Sequence, residues 1–180
     1  MIQSHLIFFG HTPDAADHGF NLEAFAWENI FQLTEPGQYW ADVAVYLEYE
    51  KGLLKADAHQ FESKLLIEKT VGKWTFTANP IFVKPIGPED QGGVNFEYAW
   101  ATRYRLRPEF EPGFEAFGEV GRIDNVNGMP QQVHQIGPDV RGTFRVGGGK
   151  LLYNAGYLFG TTDASPDGAV KFELEYEFYF

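Results

Sequence analysis

Between Val94 and Arg107 the chain alternates with a period of two. Val94, Phe96, Tyr98, Trp100, Thr102, Tyr104 and Leu106 fall on one parity, and Asn95, Glu97, Ala99, Ala101, Arg103, Arg105 and Arg107 on the other. Successive side chains of a strand point to opposite faces, so this stretch reads as a long ribbon with an aromatic side and a charged side. The C-terminus repeats it, with Val170, Phe172, Leu174, Tyr176, Phe178 and Phe180 set against Lys171, Glu173, Glu175 and Glu177. Similar runs occupy Trp74 to Phe82, Phe110 to Val120, His134 to Val146 and Leu151 to Phe159. Tyr39 to Glu50 alternates too, with Tyr46 out of place on its polar parity. Phe20 to Leu33 and Asp57 to Thr70 also fit a helical period; their neighbours need hairpin partners, so both are read as strands. With Ile2 to Phe9 the count is about ten strands in one domain, residues 1–180.

The connections add a second pattern. Long stretches (Gly10–Gly19, Gly52–Ala58, Gly87–Gly93, Asp124–Gln132, Thr161–Gly168) alternate with short ones (Thr34–Gln38, Val71–Lys73, Pro108–Phe110, Gly147–Lys150). An outer-membrane barrel has short turns at one rim and longer loops at the other, so this alternation is what such a barrel requires. The expected fold is therefore all-β: an antiparallel up-and-down transmembrane β-barrel, with further N-terminal strands beyond this chain left open. Arg103, Arg105, Arg107, Glu111, Glu115, Glu119, Asp139, Arg141 and Arg145 are expected to line the lumen. Phe96, Tyr98, Trp100, Tyr104, Phe172 and Tyr176 are expected to face lipid. A three-residue turn at Pro108–Phe110 sets Arg107 opposite Glu111, Arg103 opposite Glu115, Trp100 opposite Gly118 and Tyr104 opposite Phe114.

The alternating C-terminal aromatics Tyr176, Phe178 and Phe180 resemble the assembly signal of bacterial outer-membrane proteins. The stretch from Trp100 through Arg107-Pro108-Glu109 to Glu115, with His134-Gln-Ile-Gly-Pro138 and Ala155-Gly-Tyr-Leu-Phe-Gly160, resembles uncharacterised proteobacterial outer-membrane barrel proteins of the exported or transporter type. The resemblance implies location and fold: a bacterial outer membrane, the lipid bilayer as surroundings, and the barrel assembly machinery as partner during biogenesis. It also implies a cleavable leader, and the start Met1 to Gly10 has neither a basic n-region nor a long enough apolar stretch to be one.

Composition narrows the chemistry. The 180 residues hold 25 Asp and Glu against 14 Lys and Arg, a net charge of −11, which argues against nucleic acid as a partner. There is no Cys, hence no disulfide and no thiolate chemistry. His11, Asp14, Asp17 and His18 have the types to clasp a divalent ion, but a polar loop that holds two His by chance is the better account of them. Ser63 lies four residues from His59, but neither these nor Ser4, Ser165 and His134 come with the third member a hydrolytic triad needs. Gly147-Gly148-Gly149 reads as a hairpin turn, because no Lys-Ser/Thr and helix follow it. The sequence points to a protein that is not an enzyme and has no cofactor or metal: a passive narrow pore or structural barrel with an Arg/Glu lumen. Two other readings stay open, a soluble lipocalin-like barrel around an apolar ligand and a barrel-embedded lipid hydrolase. The oligomeric state is left open.

Overall fold

The computed structural model describes residues 2–11, 21–53, 59–87 and 92–178. The strands are β1 (Ile2–His11), β2 (Asn21–Gln32), β3 (Asp42–Gly52), β4 (His59–Val71), β5 (Trp74–Ile86), β6 (Asn95–Tyr104), β7 (Glu111–Arg122), β8 (Asn125–Val126), β9 (Val133–Val146), β10 (Gly149–Gly160) and β11 (Gly168–Phe178). All belong to one antiparallel sheet in the order β1-β2-β3-β4-β5-β6-β7-β9-β10-β11, with the two-residue β8 attached to β7. Every long strand therefore pairs with its nearest long neighbours in sequence, which is up-and-down topology. Among the described residues no pairing joins β1 to β11, so the sheet is open along that line. No helix among them is long and apolar enough to cross a membrane, a fact that bears on helices alone.

Both segments with helical periodicity are strands. In β2, Phe25, Trp27 and Phe31 take one face and Ala24, Ala26, Glu28 and Ile30 the other, in register with β1 and β3. Backbone pairing on both sides decides the conformation where the period alone was ambiguous.

The long–short alternation of connections is less regular than the sequence suggested. The link between β2 and β3 covers residues 33–41, more than the 53–58 link that follows it. Leu33 and Thr34 both donate their backbone N–H to Val43 O, the Thr34 hydroxyl accepts from Val43 N, and Asp42 accepts from Gly37 N. These bonds end the ladder early and spread the turn. The link between β6 and β7 is also wider than three residues. Arg105 donates its N–H to Lys73 O, and Arg107 and Phe110 form an antiparallel bridge of their own.

That wider link corrects the expected register. Arg103 lies opposite Gly113, Ala101 opposite Glu115, Trp100 opposite Ala116 and Thr102 opposite Phe114. The slip is two residues, an even number, so every side chain keeps its face while each expected partner changes. Gly113 suits the new register, since a Cβ there would stand 2.3 Å from Thr102 O. Nearer the loops a bulge takes up one of the two slipped residues, where Gly121 adopts the left-handed conformation (φ 93°) beside Phe96.

The sheet curls around its charged face. Lys171 of β11 reaches Glu115 of β7 at 3.0 Å across the two strands between them, and Arg103 of β6 reaches Glu68 of β4 at 3.4 Å over β5. The convex face is apolar and holds Trp and Tyr near both rims. Trp74 and Tyr104 sit at the turn rim with ring centroids 5.1 Å apart, while Tyr98, Tyr157 and Phe159 lie toward the loops. Between the rims are Val45, Leu65, Ala78, Trp100, Ala116 and Val140. Several convex-face tyrosines lie over a glycine of the adjacent strand: Tyr98 over Gly118, Tyr153 over Gly142 and Tyr157 over Gly168. Each ring occupies the space a side chain would need there.

At Gly137 of β9 the approach is closest, for a Cβ would stand 1.8 Å from Tyr157 O and 2.9 Å from Leu158 Cα. Gly137→Ala must push β10 away, so it is expected to lower stability by about 1–3 kcal/mol, read as a lower urea midpoint at unchanged slope.

Candidate functional site

The enclosed face is polar. Glu115 is 1% exposed and Asp139 and Asn154 are also buried, while Phe114, next to Glu115, is 55% exposed on the opposite face. An ordinary water-soluble sheet has the reverse arrangement.

A charge network occupies the concave side of β7, β9, β10 and β11. Arg141 donates to Glu115 through Nη2 and to Asp139 Oδ2 through Nε at 3.2 Å. Lys171 donates to the other Glu115 oxygen at 3.0 Å and lies 3.4 Å from Glu173. Asn154 donates to both Glu115 and Glu173 at 3.2 Å. Burying a lone carboxylate costs several kcal/mol, so Glu115 is tolerable only because two cations and an amide surround it. Lys171 also stands 5.0 Å above the ring of Phe117, which faces inward between Glu115 and Glu119. Arg103 forms a second group with Glu68 and, at 3.7 Å, Glu111.

Across β1 to β4 the register sets four titratable residues in one row: His5 opposite Glu28, Glu28 opposite Glu48, and Glu48 opposite Glu62. Tyr46 donates its hydroxyl to Glu48, and Lys64 lies 2.5 Å from Glu62 and 4.3 Å above the Tyr46 ring. This explains the odd parity of Tyr46: its phenol serves as the polar partner of a buried carboxylate.

Of the residues singled out from sequence, Arg103, Glu111, Glu115, Glu119, Asp139, Arg141 and Arg145 share the concave face. Only Glu115, Asp139 and Arg141 converge in one network, and Arg103 joins Glu111 apart from them. Arg105 and Arg107 lie beyond the end of β6; Arg105 donates to Gly72 O at 2.7 Å in the neighbouring turn. Phe96, Tyr98, Trp100, Tyr104, Phe172 and Tyr176 share the convex face. Phe178 also stands there, and Phe180 lies outside the described residues, as do Asp14, Asp17 and His18. Sequence reasoning missed Lys171, Asn154 and Phe117. Lys171 shares the parity of Glu173 and Glu175, which was the available signal; nothing in the sequence set Asn154 or Phe117 apart.

Ser63 and His59 stand on the convex face of β4. The Ser165 hydroxyl meets His134 through the backbone, accepting from its N–H and donating to its carbonyl, both at 2.8 Å. The ring nitrogens of His134 are engaged by the Tyr98 hydroxyl at 3.0 Å and the Gln132 amide oxygen at 2.7 Å. These bonds, with Thr162 donating to Gln132 O, tie the 161–167 link to the start of β9. At the same rim Arg122 binds both oxygens of Asp124, at 2.9 and 2.5 Å, and holds that carboxyl below its usual range.

Space remains at both ends of the concave side. Toward the turns lie a cavity of 500 Å³ bordered by Gln3, Gln32, Asp42, Leu66, Glu68 and Asn79, and one of 370 Å³ bordered by Arg103, Glu111, Arg141, Asn154 and Glu173. Toward the loops a cavity of 180 Å³ lies among Asn95, Glu97, Glu119 and Gln131. No family model matches the chain, and no curated protein matches its sequence.

Glu115→Leu leaves Arg141 and Lys171 without their shared anion. Both cations keep partial access to water, which moderates the loss to about 2–4 kcal/mol. The triple variant Glu115→Leu, Arg141→Met, Lys171→Met is expected to recover most of it, measured by urea unfolding of the three proteins side by side.

Proposed function

We propose that this chain is a transmembrane β-barrel protein of a bacterial outer membrane, with its convex aromatic face against lipid and its charged face around a narrow interior. The observation that carries the reading is the inverted burial: a carboxylate, Glu115, is 1% exposed while Phe172 is 65% exposed. In water this leaves the largest apolar side chains solvated and pays to desolvate charge. In a bilayer the same arrangement is favourable, because hydrocarbon covers the rings and the ions hold one another inside. Strands of 10 to 14 residues, tilted as in known barrels, rise about 25–35 Å, enough for the hydrocarbon layer. Trp and Tyr near both rims match the interfacial girdles of such proteins. Tyr176 and Phe178 on the edge strand β11 support the assembly machinery as partner during biogenesis, since that edge is open to receive another strand.

The interior suits a structural barrel or a very narrow pore. Glu48, Glu115, Asp139 and Asn154 are buried at mid-height, between cavities that open toward opposite rims. A soluble barrel around an apolar ligand needs Trp100 and Phe172 enclosed and the guanidinium groups in water, an arrangement opposed to the burial seen here.

Two measurements test the proposal. Trp100→Arg and Phe172→Arg should each cost about 2–4 kcal/mol of folding stability in lipid vesicles, the range for a cation on a lipid-facing strand. If both are neutral, the convex face meets water and the reading fails. In planar bilayers the purified chain should give small conductance steps or none, and large, weakly selective channels would contradict a filled interior.

A further inference from the structure

We propose that the open edges of β1 and β11 pair with each other in one register, with Leu6 opposite Leu174, so that contacts along the seam run from Ile2–Phe178 to His11–Ala169. This rests on the barrel reading and adds the joint that makes a barrel of the sheet.

Four observations fix it. The path β1 to β11 contains an even number of long strands, so its two edges are antiparallel and can pair as every other neighbour does. Over the described residues the edges are of similar length, Ile2–His11 against Gly168–Phe178, and in this register each described residue of β1 has a partner in β11. A slip of two residues one way carries His11 past Gly168, where β11 begins, and the other way carries Ile2 and Gln3 past the described residues of β11. Face parity agrees as well: Ile2, Ser4 and Leu6 are on the convex side with Phe178, Tyr176 and Leu174, and Gln3 and His5 on the concave side with Glu177 and Glu175. A slip of one residue would set apolar against charged side chains throughout. Finally, Ile2 at 68% and Phe178 at 71% are among the most exposed apolar residues, and this register makes them direct neighbours.

The geometry closes too. The row of paired residues beginning at Gln3 runs through Ile30, Tyr46, Lys64, Ile81, Glu97 and Glu119 to Val133, the first residue of β9. Continued to β11, it arrives about twelve residues from Glu177, a shear that for ten strands gives a tilt of about 40°, within the range of closed barrels. At the seam His5, already 3.6 Å from Glu28, gains Glu175 on its other side. The charged lining is then continuous around the interior.

The chain has no Cys, so engineered pairs report the seam without background. Leu6→Cys with Leu174→Cys, and Ser4→Cys with Tyr176→Cys, are oxidised in the full-length protein in vesicles and run on non-reducing gels. The controls are Leu6→Cys with Phe172→Cys and Leu6→Cys with Tyr176→Cys, displaced by two residues on the same face. Both direct pairs should form an intramolecular disulfide at least about tenfold faster than the displaced pairs, given the separation a disulfide tolerates. Circular dichroism of each reduced variant verifies the fold, and the second direct pair covers loss of one variant. A displaced pair that closes faster overturns the register. Disulfide-linked dimers overturn it in favour of a second copy's strand at the edge, and folded protein without cross-links shows the edges stay apart. Vesicle insertion is scored separately: cross-linking in protein that needs no lipid supports the seam while refuting the membrane reading.

Discussion

Parity conserved from strand to strand is the constraint on which the rest of this structure depends. Each of the pairings along the sheet sets like face against like face, so one mismatched interface would carry charge to the aromatic side for every strand beyond it. The β6–β7 pairing is the instructive case. Its turn is wider than the sequence suggests and its register slips, yet the slip is even, and the bulge at Gly121 absorbs one residue near the rim. Partners changed while faces did not.

Given that constraint, the energetics follow an unusual division. There is little conventional apolar core: among the described residues the buried hydrophobic ones are three alanines, Tyr46, Val83 and Leu158. Cohesion comes instead from the backbone ladder, from cross-strand side-chain pairs on the convex face, and from ions that satisfy one another within the curl. Glu115 is the centre of that arrangement, because its neighbours come from three other strands and fix their relative positions. Removing one member of such a network strands the charge of the others, while its desolvation cost offsets most of the attraction, so a buried ion group contributes more to geometry than to net stability.

The strands were largely legible in the sequence. Alternation from Val94 onward and in the final segment left little freedom, and the β-branched and aromatic content of those runs agrees with it. Phe20 to Leu33 was ambiguous because a single ribbon of that composition satisfies both periods, and only pairing partners separate them. Turn widths were misjudged at 33–41 and 105–110 because they depend on single hydrogen bonds, such as Thr34 with Val43 and Arg105 with Lys73, which leave no periodic trace.

For the candidate site, the sequence by itself determined which side chains share a face, since the two-residue period of a strand is a local property of the backbone. It could not determine which of them meet. Glu115 and Lys171 are 56 residues apart, and they touch only because the sheet bends toward the charged side across two intervening strands. Curvature, shear and the even slip at Gly113 are sums over many pairings. They belong to the folded sheet as a whole, and so the convergence of Arg141, Lys171 and Asn154 on one buried carboxylate was decided by tertiary structure alone.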